Sequence, residues 1–178
     1  MQYQSAMTLL ELLLALAILS IVLVTAVPGL STVLSNVRMQ NNVNELMHSL
    51  YNARQNANAT GTSTALCGSN DGQQCSATGD WTRGWLLFAN ADDDEPPRID
   101  PGETVLATNR LSSQLRLYAN RHAFVMRPFG LRNTNGTLVW CDRRGDANAR
   151  AVIVSFTGKP RSSATTAGGL PLNCPDNP

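Results

Sequence analysis

The chain has 178 residues, 14 Lys and Arg against 13 Asp and Glu for a formal charge of +1, four Cys and two His. That length suits one compact domain with a core rather than several, and the near-neutral total excludes a uniformly basic or acidic tail protein. Catalytic signatures are missing too: no Gly-x-Ser-x-Gly, no P-loop and no His-Glu-x-x-His occurs, and His48 and His122 stand in unrelated contexts, so no enzyme and no cofactor are expected.

The first element is apolar. Behind a six-residue polar leader, Met1 to Ala6, residues Met7 to Leu30 form a 24-residue run with one charge, Glu11. As a helix this run is about 36 Å long, enough to cross a hydrocarbon core of about 30 Å. An acid inside such a segment is costly and needs a partner, and near a helix start it also complements the helix dipole. A secretory signal peptide cut near Val24-Thr25-Ala26 is the alternative; it lacks a basic n-region, its apolar run is long and an acid sits inside it.

After Pro28-Gly29, where a bend is expected, apolar residues return at Val33, Val37, Val43, Leu46, Met47, Leu50 and Tyr51, close to a 3.6-residue period. This predicts a second, amphipathic half-helix over 31–60, ending near Ala59-Thr60-Gly61, with its stripe buried on a sheet and His48 at its edge. Beyond Gly61, short segments rich in β-formers follow: Trp85 to Phe88, Leu115 to Tyr118, Ala123 to Met126, Thr137 to Cys141 and Arg150 to Thr157, with Asn135-Gly136 as a hairpin turn. The expected organisation is a leader over 1–6, a membrane half-helix over 7–30, the amphipathic half over 31–60 and a β-rich head over 61–178, an α+β fold.

Charge is uneven along the head. From Asp71 to Glu103 eight acids face two Arg, and from Arg110 to Arg161 ten bases face two acids. Asp92-Asp93-Asp94-Glu95 reads as a solvated loop; clustered carboxylates suit a hard cation, but without the EF-hand spacing no metal is expected. Cys67, Cys75, Cys141 and Cys174 are even in number, never C-x-x-C, and all beyond the apolar run, which favours disulfides in an oxidising compartment over a zinc site. Of three connectivities the favoured one joins Cys67 to Cys75 and Cys141 to Cys174.

Ala6 followed by Met7-Thr8-Leu9-Leu10-Glu11, with Pro28 downstream, resembles the type III signal of type IV pilins and pseudopilins. That resemblance implies cleavage after Ala6 by a prepilin peptidase, N-methylation of Met7, and Glu11 pairing with the terminal amine of a neighbouring subunit during assembly. The family favours Gly before the cut and Phe after it, where this chain has Ala6 and Met7. Trp81 to Phe88, Asp100-Pro-Gly-Glu103, Gly136 to Cys141 and Val152 to Arg161 are similar to the GspH/FimT/FimU group of minor pilins and pseudopilins. The FimT proteins share a Gly-Arg-x-Arg motif implicated in DNA binding during natural transformation, and this chain has Gly158-Lys159-Pro160-Arg161. The resemblance therefore implies a minor pilin that primes or joins the pilus, either as a structural part alone or also as a receptor that binds double-stranded DNA without sequence preference; the alternative is a type II secretion pseudopilin of the GspH type with a purely structural role at the pseudopilus tip. DNA-binding candidates are Gly158, Lys159 and Arg161, with Arg143, Arg144 and Arg150 joining them if the last hairpin brings them alongside. Implied partners are other major and minor pilins, the prepilin peptidase and the inner-membrane assembly machinery. The implied location is a single pass in the bacterial inner membrane with a periplasmic head, then the filament at the cell surface.

Overall fold

A computed structural model of the chain describes residues 8–175; Ala6 and Met7 lie outside the described residues. A long helix, α1 (Leu9–Thr60), is followed by eight strands. The chain falls into two compact units, the first ending at Gln40 and the second beginning at Asn41, so their boundary lies inside α1. In the first unit the described side chains from Leu9 to Val24 are all exposed, and α1 is long and apolar enough there to cross a membrane. Helical backbone continues through Pro28 and Gly29 without interruption, although the side chains of residues 25–28 are not among those described.

In the second unit α1 supplies the core. Val43, Leu46, Leu50, Ala53 and Ala57 are no more than 1% exposed and recur every three or four residues, one face of a helix. This stripe differs from the expected one. Val33 and Val37 are about half exposed, Tyr51 is exposed and Met47 is half-buried, while Ala53 and Ala57, unremarkable as apolar residues, take the buried positions. Small side chains let helix and sheet approach closely, which hydrophobicity alone does not signal. His48 is exposed, as expected, and α1 ends at Thr60, before Gly61 at φ 72°, a backbone conformation suited to Gly.

The strands form two antiparallel four-stranded sheets. The first, in the order β3-β2-β1-β5, comprises β1 (Ser63–Gly68), β2 (Gly84–Asn90), β3 (Val105–Arg110) and β5 (Ala123–Met126). The second, β4-β6-β7-β8, comprises β4 (Leu115–Ala119), β6 (Gly136–Asp142), β7 (Arg150–Val154) and β8 (Pro160–Ser163). Hydrogen bonds from Trp85 Nε1 to Ser49 Oγ (3.0 Å) and from Tyr51 Oη to the Pro160 carbonyl (3.4 Å) tie α1 to both. Trp85 and Trp140 meet edge to face at 5.8 Å across the two sheets, which adds specific geometry to their burial.

The first sheet is covered on both faces. Trp85 faces α1, whereas Leu86 and Phe88 join Ala65, Cys67 and Val125 in a second buried layer beneath Cys75 and Ile99. That explains why β2 reads as an unbroken apolar run rather than an alternation. Asn135-Gly136 is not a hairpin turn. The β5 strand before it and the β6 strand after it belong to different sheets, so the segment is a crossover, and Gly136 opens β6 opposite Val154. The predicted strand Arg150 to Thr157 stops at Val154, because Ser155 to Lys159 make the turn into β8.

Candidate functional site

The start of α1 carries the acid. Thr8 Oγ1 accepts a hydrogen bond from the Glu11 amide at 3.3 Å, while Glu11 Oε2 accepts from the Thr8 amide at 2.9 Å and from its hydroxyl at 3.1 Å. This reciprocal arrangement is a capping box, which satisfies backbone donors that a helix start otherwise leaves open. In lipid, where no water can replace them, those donors matter more. Among the described residues Oε1 has no donor, so the carboxylate keeps an acceptor for a second group. Thr8 escaped the sequence reading, although Thr-x-x-Glu ahead of an apolar run is the signature of such a box.

Two disulfides fasten the head in the favoured pairing. Cys67–Cys75 has a Cα separation of 5.5 Å and Cys141–Cys174 one of 6.0 Å, and no described cysteine is free. The first closes a loop in which Asp71 Oδ1 accepts from the amides of Gln73 (2.8 Å) and Gln74 (3.1 Å), bonds that hold its carboxyl below the ordinary range. The second pins the tail onto the second sheet, where Leu172 and Cys174 cover Ala151 and Ile153.

The basic candidates do not converge. Gly158 and Lys159 sit in the β7–β8 turn, and Arg161 in β8 lies opposite Ile153 near it. Arg150 opens β7 opposite Trp140, at the other end of the strand, four residues or about 13 Å from Val154. Arg143 and Arg144 follow β6 at that same far end. The condition for one joint patch, that the hairpin bring these three alongside, is therefore not met. Arg144 is also partly neutralised: its Nη2 and Nε bond Asp142 Oδ2 at 2.6 and 2.9 Å.

A different cation stands near the turn. The loop after β5 packs on it through Asn133, whose Nδ2 and main-chain amide donate to the Phe156 carbonyl at 3.3 and 3.1 Å. The neighbouring Arg132 places its guanidinium 4.1 Å over the Phe156 ring. Phe156 is 48% exposed, and Lys159 and Arg161 are exposed on either side of Pro160. Nothing local in the sequence marks Arg132, because the loop that carries it reaches the turn only through the fold. Gly158 has a structural reason of its own: its φ is 70°, and an added Cβ would lie 3.0 Å from Met126 Sδ and 3.1 Å from Asn133.

Residues 42–158, about two thirds of the chain, match the family described as Type II transport protein GspH, and residues 1–27 match the prokaryotic N-terminal methylation motif. No curated protein matches. Two crystal forms of the type IV minor pilin FimU from Pseudomonas aeruginosa are similar in structure. One has a TM-score of 0.50 at 16% identity over 70% of this chain and 91% of that one; the other has 0.49 at 16% over 76% and 94%. At that identity the likeness concerns the fold: a long amino-terminal helix on antiparallel sheets.

Proposed function

Because the chain belongs to the GspH family of pilins and pseudopilins, we propose that it is a minor type IV pilin whose β7–β8 turn holds DNA for uptake during natural transformation. The filament part of this reading rests on the methylation motif and on Glu11 within an otherwise apolar helix start. Cleavage after Ala6, methylation of Met7 and pairing of Glu11 with a neighbour's terminal amine insert the subunit among other pilins, while Pro28 marks the end of the segment used for assembly. The inner membrane anchors it through α1 until then, with the head in the periplasm.

The observation that carries DNA binding is the cluster of exposed Lys159 and Arg161 beside Arg132 on Phe156. Cations on a turn bind phosphate without reading bases. The test is fluorescence anisotropy of a duplex with the purified protein in nonionic detergent, over a range of salt. Each phosphate contact contributes about 0.9 to the slope of log affinity against log salt, so Lys159→Ala with Arg161→Ala lowers the slope by about 2 and Arg132→Ala by about 1. Arg143→Ala with Arg144→Ala leaves it nearly unchanged, since those residues lie at the other end of the sheet. Absence of binding at low salt, or equal binding by the Lys159/Arg161 variant, removes the DNA role.

A second reading is favoured by the family's own description: a type II secretion pseudopilin of the GspH type, structural at the pseudopilus tip. Gene neighbourhood separates the two, with minor-pilin genes on one side and a secretion operon on the other.

A further inference from the structure

Around the β7–β8 turn the head leaves aromatic rings in water. Phe156 is 48% exposed, and Phe129, in the loop after β5, is 78% exposed. Turn and loop are one assembly. Asn133 Nδ2 donates to the Phe156 carbonyl at 3.3 Å while its Oδ1 accepts from the Arg127 amide at 2.7 Å, and the Leu131 amide closes a turn onto the Pro128 carbonyl at 3.2 Å. Single exposed apolar residues are ordinary. Phe129 differs, because its φ is 54°, a left-handed backbone that a bulky side chain seldom adopts. Asn58 Oδ1 holds it there by accepting from its amide at 3.2 Å, and its ring reaches Gly61, where an added Cβ would lie 3.5 Å from it. A largely exposed phenyl ring is thus fixed in a conformation that its own backbone does not favour.

Three cations stand in the same region. Arg132 lies over the Phe156 ring, Lys159 and Arg161 flank Pro160, and among the described residues none of the three forms an ion pair. Other arginines of the head are committed: Arg127 pairs with Asp93 at 3.1 Å, Arg144 pairs with Asp142, and Arg110 Nη2 donates to the Asp71 carbonyl at 3.2 Å. Cations alone suffice for phosphate. The rings beside them offer a flat apolar face, which phosphate does not use and which matches the π-face that every base carries. In a duplex those faces are shut inside the stack, whereas unpaired bases present them. A guanidinium plane is also a surface on which bases stack, so Arg132 extends what Phe156 begins.

We infer that Phe156 with Arg132 over it, together with Phe129 in the adjoining loop, stacks unpaired bases, so that this surface takes single-stranded DNA in preference to duplex. The inference rests on the DNA reading given above and narrows it: Lys159 and Arg161 hold phosphates, and the rings hold bases. Stacking tolerates any sequence, so no particular base is selected. An acidic polypeptide would satisfy the cations but has no base faces for the rings.

The test uses the full chain in nonionic detergent, titrated into a labelled strand of about 12 nucleotides and into the same strand annealed to its complement, at equal salt, and read by anisotropy. The expected result is a strand bound at least about fivefold more tightly than the duplex, the lower end of what one base–aromatic stack supplies. Phe156→Leu keeps an apolar side chain and removes the ring, so it brings that ratio to about one, and Phe156→Tyr restores it. Phe129→Leu lowers the ratio as well, and since both side chains are exposed, both variants melt with the wild type. Lys159→Ala with Arg161→Ala weakens strand and duplex alike, which separates charge from stacking. A wild-type ratio of one or below, or a ratio that both Leu variants retain, overturns the stacking and leaves the DNA role standing. Binding of neither form overturns both. Displacement of the strand by polyglutamate as readily as by unlabelled DNA of equal charge assigns the surface to acidic chains in general and overturns the inference too.

Discussion

Removing each disulfide separately provides a quantitative test of how the head is held together. Cys141–Cys174 spans 33 residues of chain and Cys67–Cys75 spans 8. In the chain-entropy description a bridge stabilises by restricting the unfolded chain, and these spans correspond to about 3.7 and about 2.5 kcal/mol at 25 °C. The longer bridge has a second effect. It holds Leu172 and Cys174 over Ala151 and Ile153, with Tyr118 and Val139 packed against them, so losing it also uncovers one face of the second sheet. Cys141→Ala with Cys174→Ala should therefore cost more than Cys67→Ala with Cys75→Ala. At roughly 2–4 °C per kcal/mol for a domain of this size, the melting temperature should fall by about 7–15 °C in the first case and about 5–10 °C in the second. Circular dichroism of the oxidised proteins measures both, and limited proteolysis should release the tail beyond Ser163 only in the Cys141/Cys174 variant. An equal or larger loss from the Cys67/Cys75 variant, or a tail that stays protected without its bridge, would refute the reasoning.

Glu11→Ala should leave the protein inserted in the membrane but deplete it from sheared filaments, while Thr8→Val, which keeps the carboxylate and removes the hydroxyl of the capping box, should reduce incorporation less; quantitative immunoblots of pili and membranes decide this. Gly158→Ala should destabilise the head by about 1–3 kcal/mol in urea unfolding, from left-handed backbone and a tight contact together, so any loss of DNA binding in that variant would not report on phosphate contacts. Because the folded head lowers the Asp71 pKa, the stabilisation is present above the ordinary carboxylate range and lost as pH falls through the lowered value. Urea midpoints of wild type should thus exceed those of Asp71→Ala at pH 7 and converge with them in acid.

Where local physics decides the structure, the sequence was readable. The helix end at Thr60 and the segments that became β2, β4, β5 and β6 followed from periodicity and β-forming side chains, and of the three open cysteine connectivities the favoured one is the one found. Three strands were missed for a common reason. β1 is Ser-Thr-Ala-Leu-Cys-Gly, β3 is an exposed edge strand and β8 begins with Pro, so none shows the apolar alternation that announces a strand; they form because a neighbour offers its backbone. The basic region shows the same limit in the site. Ten cations in 52 residues looked like one surface, yet strand register carries Arg150 away from Lys159 and the fold carries Arg132 toward it.

Because the division at Gln40 and Asn41 falls within a helix, it offers no loop at which the head could be detached cleanly. Residues 41–60 donate Val43, Leu46, Leu50, Ala53 and Ala57 to the head's interior, while the exposed apolar turns before Val24 donate nothing to it. A water-soluble fragment must therefore begin upstream of Asn41 and downstream of Val24, and a cut at Gly61, where the strands start, would discard one wall of the core. Losing Val43, Leu46 and Leu50 together, at about 2–5 kcal/mol for each large aliphatic side chain, costs an amount comparable to a folded domain's whole margin of about 5–15 kcal/mol.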